Sequence, residues 1–135
     1  MKKTLFAILL ASIMLIPASI SAFAPVPLDI EIDCSPNVIN IGSQGTIFTI
    51  HTDIPFSAVV GAECTLNGLE ISWWKSDDRG YFVAKFDLDA VKDLDGLIIG
   101  GYNELTLSGV KTDGELFEGM QPILVINNVP TGKGK

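Results

Sequence analysis

The sequence predicts an all-β domain, an immunoglobulin-like antiparallel β-sandwich with at most one short helix. Short runs of alternating polar and apolar residues recur from Leu28 to Ile126, the period of half-buried strands. Gly, Asn, Asp and Pro separate these runs at roughly ten-residue spacing, the rhythm of a sandwich. Only one stretch, near Ala90, carries helical spacing. Six or seven strands in this pattern favour two packed sheets, with a closed barrel as the other architecture. No internal repeat or second domain is visible.

Leu28, Ile30, Ile32 and Cys34 alternate with Asp29, Glu31 and Asp33, which makes a strand with an acidic outer face. Ser35-Pro36-Asn37 breaks it, and 42–45 turns the chain into a strand over 46–52 whose Phe48 and Ile50 face the core. Pro55 and Gly61 mark 53–61 as a connection. Cys64-Thr65-Leu66 then leads through Asn67-Gly68, a strong hairpin signal, into Leu69, Ile71 and Trp73. Continued alternation puts Trp73 in the core and Trp74 on the opposite face. After a polar loop over 75–80, Phe82, Ala84, Phe86 and Leu88 face inward, and Tyr81, Val83, Lys85 and Asp87 outward. Ala90, Val91 and Leu94 suit a short helix with Asp89 as N-cap and Gly96 as terminator. Strands over 104–110 and 123–126, with a turn at 112–115, complete the domain.

The first 24 residues have the layout of a secretory signal peptide: Lys2 and Lys3, an apolar run from Leu5 to Ile16, then Pro17 and small residues. Ser21, Ala22 and Ala24 are the candidate cleavage points. The apolar run is shorter than the roughly 20 residues of a membrane span, so an uncleaved anchor is the weaker alternative. The expected organisation is a signal peptide over 1–24, one domain over 25–130 and a disordered tail over 131–135. The expected location is secreted, extracellular or periplasmic, with no membrane span in the mature protein.

Cleavage after Ala24 leaves 111 of the 135 residues, enough for one core. Without Lys2 and Lys3, seven basic residues stand against 16 acidic ones, a net charge of −9. Such a surface repels nucleic acid and anionic lipid. The only cysteines, Cys34 and Cys64, are expected to form a disulfide in an oxidising compartment, closing a loop worth about 3 to 4 kcal/mol in the chain-entropy model. Two buried thiols on separate strands are the alternative. Neither lies in a Cys-x-x-Cys pair, so redox catalysis and a cysteine zinc site have no support.

His51 is the only histidine and stands two residues before Asp53. Alternation around Phe48 and Ile50 places it on an outward strand face, as a surface residue rather than a metal ligand or general base. No serine lies in a Gly-x-Ser-x-Gly elbow. Asp87, Asp89, Asp93 and Asp95, with Asp77 and Asp78, offer oxygens to a hard cation only if the fold gathers them. A helix cap and a solvated acidic edge account for them otherwise. Trp74 and Tyr81 are candidates for a sugar or partner face.

The segments Ile30-Glu31-Ile32-Asp33, Pro36-Asn37-Val38-Ile39-Asn40 and Ser43-Gln44-Gly45-Thr46-Ile47 resemble the opening of a largely uncharacterised secreted β-domain family of bacteria and archaea. That pattern reads I-D-I-x-P-G-S-x-P-N-x-I-N, then S-x-G-x-I. The stretch from Leu105 to Gly119 is similar to the family's L-T-G-x-T-x-D-G-x-x-F-x-G. The resemblance implies an exported module with no catalytic residues. Family members carry an Asp/Asn/Gly loop resembling a calcium site where this chain has Lys75-Ser76-Asp77-Asp78-Arg79-Gly80. Lys75 and Arg79 stand where ligands would be, which leaves Asp77, Asp78 and Asp87 as weak calcium candidates and no cofactor otherwise expected. The expected function is non-catalytic: surface assembly, adhesion or binding of a protein or glycan at the cell surface. Carbohydrate binding through exposed aromatics and a calcium-stabilised structural domain are the alternatives.

Overall fold

The computed structural model describes residues 25–128; the expected signal peptide and tail lie outside the described residues. The opening period-two run is split between two sheets. β1 (Leu28–Asp29) runs parallel to the last strand, β10 (Leu116–Ile126), whereas β2 (Ile32–Ser35) pairs antiparallel with β4 (Ile47–Pro55). The chain changes sheets at Ile30-Glu31 and keeps its alternation, because Ile30 and Cys34 are buried while Asp29, Glu31 and Asp33 are exposed. It then returns to the first sheet as β3 (Val38–Asn40), parallel to the other half of β10. Three residues carry too little periodicity for that strand to be read beforehand.

β4 outruns the expected 46–52 and ends at Pro55, after an irregularity in register beyond His51. Two 3-10 turns, Phe56–Ala58 and Gly61–Glu63, follow. β5 (Thr65–Leu66) and β6 (Leu69–Glu70) form the expected hairpin. Asn67 and Gly68 have φ of 46° and 87°, the left-handed pair that a type I′ turn requires. The Asn67 side chain also accepts from the Thr106 amide at 2.7 Å and donates to the Glu104 carbonyl at 3.2 Å, tying the turn to its neighbour.

β7 (Trp73–Ser76) pairs with β8 (Tyr81–Asp87) in the sheet of β2 and β4. The expectation that Trp73 is a core residue is wrong: it is 46% exposed. β6 and β7 lie in different sheets, so the phase set by Leu69 and Ile71 does not carry through to Trp73. β8 matches expectation at Phe82, Ala84 and Phe86, all fully buried, but Val83 is fully buried too. It occupies the middle of the outer face between His51 and Lys75, whose side-chain stems can cover so small a residue.

The expected helix is α1 (Leu88–Lys92), and its cap is Asp87 rather than Asp89: the Asp89 amide donates to Asp87 Oδ1 at 3.2 Å. Gly96, with φ of 81°, lies in a later turn and does not terminate the helix. β9 (Gly101–Val110) and β10 both begin earlier than the sequence suggested and form the longest ladder, Leu116 opposite Val110 through Val125 opposite Gly101.

The result is a mainly β, sandwich-like molecule of two sheets. One has six strands, β1-β10-β9-β5-β6 with β3 also on β10; the other has four, β2-β4-β8-β7. Between them lies one core that includes Phe48, Ile50, Phe82, Phe86, Leu107 and Phe117. The expected disulfide is absent, and Cys34 and Cys64 are free, buried thiols. Cys34 belongs to β2 of the four-stranded sheet, where its amide donates to Gln121 Oε1 at 2.8 Å. Cys64 directly precedes β5 of the six-stranded sheet and packs toward Gly109 beside the Phe117 ring. Each fills core space as a small apolar side chain.

Candidate functional site

The outer face of the four-stranded sheet gathers the residues best suited to recognition. Register lines them up in rows across the strands. Ser35, Thr49, Lys85 and Trp73 form one row, and Asp33, His51, Val83 and Lys75 the next. Tyr81 follows along β8 opposite Pro55. Charge divides this face. The described residues contain five cations, and three of them, Lys75, Arg79 and Lys85, lie on the β7–β8 hairpin. Glu31, Asp33 and Asp53 lie on the opposite side, around a shallow depression of about 410 Å³ that His51 and Arg79 also line.

Two of the hairpin cations stand over aromatic rings. Lys85 Nζ is 5.4 Å from the Trp73 ring centre, and the Arg79 guanidinium is 5.5 Å from that of Tyr81, both within cation–π range. Lys85 Nζ also donates to Thr49 Oγ1 at 2.9 Å. Partial burial, then the nearby Lys75 charge, lowers the Lys85 pKa. Among the described residues only Lys111 belongs to an ion pair, with Asp113 and Glu115. The hairpin cations therefore make no ion pair there, in a chain whose acids outnumber its bases, although the Arg79 charge helps to hold the neighbouring Asp77 carboxyl low.

Trp74 was expected on the outward face with Tyr81. It is 38% exposed, but its register partner is the buried Ala84, and its indole lies over Gly61. It covers the sandwich edge, and Trp73 takes the outward place. The aromatic pair on one face is thus Trp73 and Tyr81. The hydrophobic phase across residues 70–73 was the only sequence signal for this choice, and the sheet change reverses it.

The calcium candidates are not brought together. Asp77 Oδ1 accepts the Arg79 and Tyr81 amides at 2.8 and 2.9 Å. The Tyr81 hydrogen bond above all holds its carboxyl below the usual range, so this carboxylate shapes the loop between β7 and β8. Asp78 is exposed beside it, and Asp87 caps α1 at the far end of β8. Among the described residues no three of His, Cys, Asp and Glu are grouped so as to hold a metal ion. His51 is exposed, as expected, and Asp53 Oδ1 accepts the Glu31 amide at 3.0 Å.

A second surface was not singled out by the sequence reading. Ile98, Ile99 and Tyr102 are 62, 55 and 68% exposed, and the loop that carries the isoleucines is held by a buried asparagine. The Ile98 amide donates to Asn103 Oδ1 at 2.7 Å, and Asn103 Nδ2 donates to the Ile98 carbonyl at 2.9 Å and to that of Gly101 at 3.3 Å. The Leu97-Ile98-Ile99 run between glycines was its only trace. Among the described residues no helix is long and apolar enough to cross a membrane. No protein-family model, curated protein or solved structure matches this chain.

Proposed function

We propose that this chain is an exported, non-catalytic recognition module that binds a macromolecular partner through the outer face of the β7–β8 hairpin. The observation that carries the reading is the set of three cations outside any ion pair among the described residues, interleaved with exposed Trp73 and half-buried Tyr81. Aromatic and guanidinium groups are enriched where interfaces concentrate their binding energy. The cations choose an acidic partner and speed its encounter. The layout of residues 1–24 supports export, and the resemblance to a secreted β-domain family points the same way.

An immunoglobulin-like topology belongs to this reading. The order β2-β4-β8-β7 matches the A-B-E-D sheet of that fold, and β5-β9-β10 matches C-F-G. The test is retention of the purified protein by cell envelopes of the producing organism, measured by cosedimentation at low and high salt. Retention that falls with salt and is lost in Trp73→Ala and Lys85→Glu is the expected result. Retention that neither substitution alters overturns the assignment of this face. Displacement by a neutral oligosaccharide such as cellohexaose identifies a sugar site instead.

A further inference from the structure

We propose that the partner of the β7–β8 face is a second copy of this chain, which inserts its Ile98-Ile99 loop there, so that copies assemble head to tail. The inference rests on the preceding reading of the β7–β8 face. The loop has the features of an anchor. Ile98, Ile99 and Tyr102 are among the most exposed large apolar side chains of the described residues, and adjacent apolar exposure of this kind marks a contact site. Asn103, only 8% exposed, fixes Ile98 through both its backbone groups, so little ordering entropy is left to lose on docking.

Charge complementarity selects the occupant. Asp93 and Asp95 precede the loop, and Glu104 follows Tyr102 on the same outward side of β9; all three are exposed. The nearest cation in sequence, Lys92, is engaged with the Ser43 carbonyl at 2.7 Å. An apolar tip with an acidic collar requires an apolar or aromatic receptor with a cationic rim. The β7–β8 face offers such a receptor at exposed Trp73, flanked by Lys75 and Lys85, while half-buried Tyr81 and Arg79 lie farther along toward the Asp77-Asp78 turn.

The two surfaces are in different places. Ile47 lies opposite Asp87 and Pro55 opposite Tyr81, so β8 runs from the hairpin-turn end to the α1 end. β9 starts at the α1 end and finishes at Val110, whose carbonyl accepts the Val60 amide beside the 3-10 turns that follow Pro55. Ile98 and Ile99 therefore project at one end of the sandwich, while the receptor spreads along one side toward the other. A contact between unlike patches is heterologous and propagates into a ring or an open filament instead of closing as a two-fold dimer. A contact built on one short loop is expected to be weak in solution and effective where copies are concentrated at a surface.

The test is sedimentation of the protein purified from cells producing the full chain, over micromolar to millimolar concentration, with circular dichroism to verify folding of each variant. Wild-type protein is expected to form concentration-dependent species larger than a dimer that dissociate in high salt. Two variants, Ile98→Asp with Ile99→Asp and Lys75→Glu with Lys85→Glu, should each be monomeric, since each retains one surface only. Mixed one to one, they should form a dimer and nothing larger. A monomeric wild type, assembly that survives both pairs of substitutions, or a mixture that stays monomeric overturns the inference. If the wild type is monomeric while Lys85→Glu still abolishes envelope retention, the recognition face stands and only self-assembly fails. If Lys85→Glu also leaves retention unchanged, both readings fail.

Discussion

An alanine Cβ at Gly61 would stand 2.3 Å from the Trp74 indole, a separation that no flexible side-chain tip can relieve, because the obstacle is a fused ring. Gly61→Ala is therefore expected to cost about 1 to 3 kcal/mol as an overpacking change. In a Trp74→Ala background most of that cost should vanish. Urea titration of the two single variants and the double variant gives the coupling, and additive losses would show that the indole does not lie against Gly61.

The two thiols supply a second residue-scale expectation. Burial, with a smaller push from Asp33 and Glu63 respectively, raises Cys34 and Cys64 from about 9 to about 12. The fold thus favours the protonated thiols relative to the unfolded chain. The resulting stability is fully present below about pH 9 and is lost as the pH climbs toward 12. Under reducing conditions the urea midpoint of wild type should fall more steeply above pH 9 than that of the Cys34→Ala, Cys64→Ala variant. Parallel curves would mean that the thiols ionise as readily in the fold as out of it. The compartment and cysteine count suggested a bond, but pairing depends on which sheet each residue enters, and that is not written in local alternation.

At the level of single elements, Asn103 is the polar group with most at stake. Asn103→Ala leaves the Ile98 amide and carbonyl without their side-chain partner, for an expected loss of about 1 to 3 kcal/mol. Hydrogen exchange at the Ile98 amide should accelerate while that of β8 stays protected; uniform acceleration would point to global unfolding instead. The β7–β8 loop gives a metal expectation. Because Asp77 already caps two amides and Asp87 caps α1, millimolar calcium should move the melting temperature by less than about 1 °C. A rise of about 10 °C, abolished by Asp78→Ala, would reveal a site there.

Elements with strong local chemistry were legible. Asn67-Gly68 fixed its hairpin because its left-handed dihedrals are a property of those two residues. The inward set of Phe82, Ala84 and Phe86 followed from period two alone. The helix was readable but shifted, since Asp87 serves both as the last strand residue and as the cap. The proposed recognition face was legible only in composition. Tyr81 and the odd cations of the 75–85 stretch could be seen, but the choice of Trp73 over Trp74 depended on a crossing at residues 71–72 that no periodicity announces.

For the molecule as a whole, the chain's repeated passage between sheets explains why the two-layer architecture was predictable while its wiring was not. Alternation reports that one side of a strand is buried, and both sheets bury against the same core. The first strand could therefore be divided between layers with no change in its pattern.

That wiring also sets an order of events. Among the described residues β1 and β3 find their only strand partner in β10, with Leu28 opposite Phe117 and Val38 opposite Leu124. As the polypeptide emerges from a ribosome amino-terminus first, β1 and β3 must wait for β10 until residues 116–126 have appeared. Loop closure over that distance is slow compared with local hairpin formation. The six-stranded sheet therefore cannot be completed before β10 is available. A chain stopped before Leu116 should lack the cooperative unfolding transition of the full protein, and a sharp transition in such a fragment would show that β10 is dispensable for closure.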